Sequence, residues 1–199
     1  MNDSWTIVAV VAGVPVLVAL IASRLLKSDY VVFDYQRAVR YRDGRFVGLL
    51  GPGKHTFWSF GNTDDVRILD ARTRTQTVAG QEVLSKDGVG LKVSLIVEYR
   101  VVDARIAVES SESFEAALYA KAQEALRNAA ASKPVDELLS ARGELGTRMT
   151  ADLKAAASSL GLEAISIAIK DFIFPGTLKE AFSQTARAKQ AAAAALERA

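Results

Sequence analysis

Between Val89 and Val102 apolar and polar residues alternate almost without fault. Val89, Leu91, Val93, Leu95, Val97, Tyr99 and Val101 share one parity, and Gly90, Lys92, Ser94, Glu98 and Arg100 the other, with Ile96 the exception. A period of two over such a length predicts one long, half-buried strand at the centre of a sheet. Upstream, Tyr30–Tyr41 carries Val31, Phe33, Tyr35, Val39 and Tyr41 on one parity and predicts another strand. Asp43-Gly44 and Asp87-Gly88 are turn signals, and Gly51-Pro52-Gly53 interrupts any regular element. Asp65–Val78 reads as extended, with Val66 and Ile68 inward and a threonine/arginine ladder from Arg72 to Thr77. Strands joined by short turns imply a mostly antiparallel sheet, one face of which needs a cover.

The cover follows from Ser113, where the period lengthens to about 3.6. Phe114, Ala117, Leu118, Ala122, Ala125, Leu126 and Ala129 form one helical stripe, which Lys133-Pro134 ends. Leu138, Leu145, Met149, Leu153 and Leu160 form a second, closed by Gly161. The next stretch returns to a period of two, with Ile165, Ile167 and Ile169 expected to share a face and rejoin the sheet. Strands, two helices and a strand make an α+β domain. Beyond Pro175-Gly176 the pattern is helical to Ala199. Its stripe of Leu178, Phe182, Thr185, Lys189, Ala192, Leu196 and Ala199 has heptad spacing but is mostly alanine.

Before the domain lies an uncharged run, Thr6–Ser23. As a helix it would be ~27 Å long, near the lower limit for crossing a bilayer. Trp5 stands where an interfacial anchor belongs, and Arg24 and Lys27 can snorkel from the other end. Asp3 before the run and Arg24 after it oppose a cleaved signal peptide. The basic flank holds the body on the cytoplasmic side of a cell membrane. Pro15 leaves a re-entrant wedge open beside the single span, and a buried soluble helix is a third reading. The expected division is 1–27 membrane anchor, 28–175 α+β domain and 176–199 C-terminal helix with a short coiled coil.

Composition narrows the chemistry. A net charge of +2 in 199 residues gives no case for a nucleic-acid partner. Without cysteine there is neither a disulfide nor a thiolate nucleophile, and His55 is the only histidine. His55 has no nearby serine, carboxylate or ligand spacing and reads as a loop residue. Ser85-Lys86 is a poor dyad, because adjacent extended residues point apart. Asp87 alone cannot make a calcium loop. No catalytic, cofactor or metal residue is assigned, and the chain is expected not to be an enzyme. Two patches bear on membranes. Arg72 and Arg74, with Lys86 and Lys92, form either a surface for anionic lipid or a solvated sheet face. Gly44–Gly53, with Phe46, Val47, Leu49 and Leu50, is either a second membrane contact or a core loop. Lys170, Leu178, Phe182, Ala192 and Leu196 are assigned to an oligomer interface.

Four stretches carry a resemblance: GLLGPGKHTFW; ARTRTQTVAGQEVLSKDGVGLKVSLIVEYRVVDARIAV; EALRNAAASKPVDELLSARGELGTRM; and LGLEAISIAIKDFIFPGTLKEAFSQTARAKQAA. In this order they resemble the stomatin/prohibitin/flotillin/HflK-C (SPFH) domain, also called band 7, and within it the prokaryotic stomatin-like slipins. The likeness runs from Ser28 to about Ala192 and includes the preceding anchor. It departs at Trp58–Asp65, where a proline-containing turn is usual, at Ala130, where glycine is common, and in the short alanine-rich coiled coil. The resemblance implies a non-enzymatic membrane scaffold without cofactor. Such a scaffold oligomerises, organises a membrane microdomain and regulates membrane proteases, channels or transporters. It also implies pairing with an NfeD-type membrane protein. The alternative is a monomeric or dimeric tethered adaptor that docks one membrane partner through a sheet edge or the C-terminal helix.

Overall fold

The computed structural model describes residues 27–58 and 61–173, with the side chains of Leu139 and Arg142 left aside. Trp5, Pro15 and Arg24 of the expected anchor, and Leu178, Phe182, Ala192 and Leu196 of the C-terminal helix, lie outside the described residues. Among the described residues no helix is long and apolar enough to cross a membrane. The chain divides into two units, 1–72 and 73–199.

In the first unit β1 (Lys27–Val32) pairs antiparallel with β4 (Gly53–Trp58). A second sheet places β2 (Gln36–Arg42) between β3 (Arg45–Leu50) and β5 (Asp64–Asp70). The single strand expected over Tyr30–Tyr41 is therefore two. Asp34 and Tyr35 form a turn in which the Gln36 N–H donates to the Phe33 carbonyl at 2.8 Å. The turn is hidden in the pattern because aromatic Phe33 before it and Tyr35 within it keep the strand's parity, their rings stacked with centroids 5.5 Å apart. Lys27, expected at the end of the anchor, opens β1 with its ammonium 4.2 Å from the Trp58 ring. The β2–β3 turn is the expected one: Asp43 and Gly44 both have positive φ, 51° and 75°, as a type I′ turn requires.

The second unit is built on β7 (Gly90–Val101), flanked by β6 (Arg74–Leu84) and β8 (Leu162–Ile173), all antiparallel. The inward row from Leu91 to Val101 is buried as its alternation predicts. Four helices lie between β7 and β8: α1 (Ala104–Glu109), α2 (Phe114–Ser132), α3 (Val135–Ser140) and α4 (Arg142–Ser158). Helix α2 packs on β6, α4 on β8, and the two helices on each other. The α2 stripe is buried through Phe114, Leu118, Ala122, Ala125, Leu126 and Ala129. Helix α1 escapes periodicity because six residues are too few to show one. It is started by Asp103, whose carboxylate accepts from the Ile106 N–H at 3.0 Å.

Three expectations change here. Asp65–Val78 is not continuous, since the Asp70 carboxylate accepts from the Arg72 N–H at 2.9 Å and turns the chain between β5 and β6. The second long helix is two, and Leu160 lies beyond its end, half-buried, while Ala157 takes the inward place. In β8 the inward residues are Leu162, Ala164 and Ile167, and Ile165 is 39% exposed. Glu98 pairs with Ser166 and Tyr99 with Ala164, so Ile165 is an extra residue, and each such bulge reverses the side-chain parity.

Two glycines set close approaches. A Cβ on Gly146 would stand 2.7 Å from the Ile167 carbonyl oxygen, so α4 sits on β8 only because that position is bare. One turn on, the Thr150 hydroxyl accepts from the Ile167 N–H at 2.9 Å and donates to the Gly146 carbonyl at 2.7 Å. Gly161 combines a φ of 70° with backbone contact to Asp103 and Ala107 at the start of α1.

Candidate interaction surfaces

The β2–β3 hairpin presents the clearest apolar surface of the first unit. Strand β3 is the outer strand of its sheet, and its residues alternate between exposed and half-buried. Val47 and Leu49 are 51% and 59% exposed. Phe46 and Leu50 are half-buried, and the Phe46 ring meets Tyr41 edge-on at 6.2 Å. Arg40 pairs with Gly48 and Tyr41 with Phe46, which makes Val47 the bulged residue. The segment is thus a strand with one apolar row turned outward.

Beneath this surface lies a charged centre that no sequence pattern indicates. The Asp64 side chain is fully buried and lies between Arg40, at 2.8 Å, and Arg42, at 3.3 Å. The Arg40 guanidinium also lies 3.6 Å over the Phe57 ring and so ties the two sheets of this unit together. Burial acts to raise the Asp64 pKa. The hydrogen bonds and charges of Arg42 and Arg40 outweigh it and hold the carboxyl below its ordinary value.

The two arginines of the expected basic patch are each paired with a carboxylate. Arg72 is held by Asp70 at 2.5 Å and lies 4.4 Å over Tyr35, whereas Arg74 opens β6 and faces Glu115 at 3.3 Å. The two belong to different units. Lys170 is exposed on β8 and is the extra residue of a second bulge, between the pairs Ser94–Asp171 and Leu95–Ile169. His55 binds the Gly51 carbonyl through Nε2 at 2.8 Å and stacks on Phe57, a loop-to-strand tie.

Ser85 and Asp87 form a latch. The buried Ser85 hydroxyl donates to the Asp87 carboxylate and accepts from the Val89 N–H at 3.1 Å. The Asp87 carboxylate in turn accepts from the Val135 N–H at 3.3 and 3.4 Å, at the first turn of α3. Alongside, the Lys86 N–H donates to the Lys133 carbonyl at 3.0 Å. Pro134 stands at the N-cap of α3 and has no side chain to cap it, so Asp87 does so from another element. The Ser85 hydrogen bond holds the Asp87 carboxyl below its ordinary pKa. These residues join the β6–β7 turn to the α2–α3 junction; they are not arranged as a nucleophile and base. Among the described residues no group of three or more His, Asp or Glu side chains could hold a metal.

A model of the SPFH domain / Band 7 family matches residues 30–199. The chain belongs to this family. Its relatives include an uncharacterised protein of Archaeoglobus fulgidus, 32% identical over 174 residues, which cover 87% of this chain and 69% of that protein. A stomatin homologue of Pyrococcus horikoshii is 32% identical over 160 residues, covering 80% of this chain and 59% of its own. Stomatin of Mus musculus is 34% identical over 166 residues, covering 82% and 58%. The Band 7 chain thus spans less than two thirds of either stomatin. The two motifs VLSKDG and KPVDELL, on which the resemblance partly rested, are the two sides of the Asp87 latch.

Proposed function

We propose that this Band 7 chain is a non-enzymatic, membrane-associated scaffold. It is tethered by residues 1–27 with its body on the cytoplasmic side. It oligomerises, and it organises a membrane microdomain or regulates membrane-protein partners such as a protease, a channel or an NfeD-type protein. The observation that carries this reading is the order of two features. An uncharged run, Thr6–Ser23, directly precedes a match to the family that begins at residue 30. The names of two relatives, stomatin and stomatin homologue, support it.

In this reading the outward row of β3, Val47 and Leu49 with Phe46 and Leu50 beside it, is the second membrane contact. Full burial of such a side chain is worth about 1.5–3 kcal/mol, and half-exposed ones gain about half of that. Arg72 and Arg74 add attraction to anionic lipid only as far as Asp70 and Glu115 leave charge uncompensated. Lys170, with Leu178, Phe182, Ala192 and Leu196, forms the contact between copies.

The test is the native mass of the full chain taken directly from membranes into lipid particles. An assembly of many copies is expected. A monomer or dimer would replace the scaffold with an adaptor that docks a single membrane partner. Deleting Met1–Leu26 is expected to release the chain from membranes in high salt. Continued pelleting would show that the tether lies elsewhere.

A further inference from the structure

The tip of the β2–β3 hairpin sets two arginines against each other. Arg42 ends β2, Arg45 begins β3, and the two pair directly across a loop of only Asp43 and Gly44. Residues directly opposite in a sheet carry their side chains on one face, and like charges placed so repel. The tight loop, with both residues at positive φ, holds the pair in register. Neither arginine has a carboxylate to itself. Among the described residues Arg45 makes no ion pair. Arg42 shares Asp64 with Arg40, which takes the closer place at 2.8 Å against 3.3 Å, and the Arg42 side chain stays 40% exposed. The other carboxylate at the tip, Asp43, accepts from the Thr63 N–H at 2.8 Å, and Asp65 is taken by Arg67 at 3.0 Å. Arg40, Arg42 and Arg45 against Asp43 and Asp64 leave one positive charge at the tip.

The tip lies at the end of the unit where the chain enters. Arg40 stands over Phe57, which pairs with Ser28 beside the opening pair Lys27–Trp58. The Tyr30 hydroxyl reaches the Asp64 carbonyl at 3.5 Å. Lys27 follows the uncharged run, which ends at Ser23, by four residues. Four residues span at most about 14 Å. With residues 1–27 as a membrane tether, this end of the unit is held within reach of the headgroup layer, which is roughly 5–8 Å thick on each side of a bilayer.

We propose that Arg42 and Arg45 together bind the phosphodiester of an anionic phospholipid headgroup, of the phosphatidylglycerol kind. A planar guanidinium presents paired N–H donors to phosphate oxygens, and two facing guanidinium groups can hold one phosphate between them. A phosphodiester carries the single negative charge that the tip lacks, and its presence removes the repulsion between the two arginines. The short reach from Ser23 to Lys27 is what selects a lipid over a soluble anion. The inference rests on the membrane tether of the scaffold reading and stands whether or not the chain assembles.

The test follows phenylglyoxal modification of each arginine by peptide mapping, with the full chain in nanodiscs of phosphatidylcholine alone or with added phosphatidylglycerol. Phosphatidylglycerol is expected to slow modification of Arg45 about fivefold, the factor equivalent to the gain of one basic side chain at an anionic leaflet. Arg37, at the other end of β2, and Arg67, on the opposite face of the sheet and held by Asp65, are expected to react at unchanged rates. In Arg45→Ala the protection of Arg42 is expected to vanish at an unchanged melting temperature. Protection of Arg42 that survives in this variant would overturn the pairing. Equal slowing at Arg37 and Arg67 would replace the site with a general surface potential. No slowing at Arg45 in discs that still retain the chain would overturn the site and leave the tether standing, whereas a chain that leaves the discs would overturn the tether itself. Equal protection by inorganic phosphate, with discs of phosphatidylcholine alone, would reassign the site to a soluble anion.

Discussion

The two units of the chain are held together by different means. In the second, three long strands and the helices on them enclose a continuous apolar core from Val78 and Leu95 to Leu126, Met149 and Leu153. In the first, the described residues with buried apolar side chains are Val32, Ala38 and Val39. At its centre stands a carboxylate between two guanidinium groups, and Val31, Phe33, Val47, Leu49 and Trp58 are left largely in water. One unit uses its apolar residues for itself. The other spends few of them on its own interior and keeps an apolar exterior, as expected of a body whose surface has something further to cover.

The largest test of this contrast is Leu95→Ala. Leu95 is fully buried in the central strand, and the loss should cost the second unit about 2–5 kcal/mol. Urea unfolding with hydrogen exchange read unit by unit should show amides of β6–β8 losing protection while those of β2 and β5 keep theirs. Loss of protection in both together would mean that the units fold as one, and the contrast would be one of composition only.

Asp64→Asn attacks the other unit. It leaves Arg40, mostly buried, and Arg42 without a carboxylate, at a cost of about 1–3 kcal/mol for buried groups deprived of their partner. Protection should fall in β2 and β5 and hold in β7. The same group sets an acid response. The folded pKa of Asp64 is below 3.8, so near pH 4 the unfolded chain binds more protons than the folded one. Its stabilisation is therefore complete above the unfolded pKa and is lost as pH falls through the lower folded value. Asp87, also depressed, gives the second unit a contribution of the same sign. Removing Asp64 should flatten the acid limb of the first unit and leave that of the second. An unchanged acid limb in Asp64→Asn would show that the buried pair does not set it.

What could be read from the sequence follows the same division. The central strand and the α2 stripe were legible because each pattern runs unbroken against one core: Leu91 to Val101 at a period of two, and Phe114 to Ala129 at a helical period. The breaks were not legible where they depend on a second element. The bulges at Ile165 and Lys170 are mismatches between β7 and β8, which neither strand shows alone. The turn after Phe33 passed as strand because Phe33 and Tyr35 continue the apolar alternation through it. Asp64 could not be singled out, because burial of its charge depends on Arg40 and Arg42, more than twenty positions earlier. Among the candidate residues, the exposed Val47 and Leu49 were visible as apolar, but their outward direction comes from pairing with β2.

The smallest expected effect on stability is also the sharpest on function. Val47 and Leu49 face outward on an outer strand, so Val47→Ser with Leu49→Ser removes little that the folded unit uses. Its stability should change by no more than about 0.5 kcal/mol, as for other surface substitutions. If the exposed row serves a membrane, then in a Trp5→Phe background the double variant should show less quenching of Trp58 by a paramagnetic lipid-headgroup quencher, while residues 1–27 are expected to keep it in the pelleted fraction. If instead the unit melts much earlier, these side chains were closing an interior, and the two units differ less than their exposed surfaces suggest. If stability and quenching are both unchanged, the apolar row faces something other than lipid, and a partner protein becomes the occupant to seek. Only the combination of intact folding and altered quenching supports an apolar exterior kept for the bilayer.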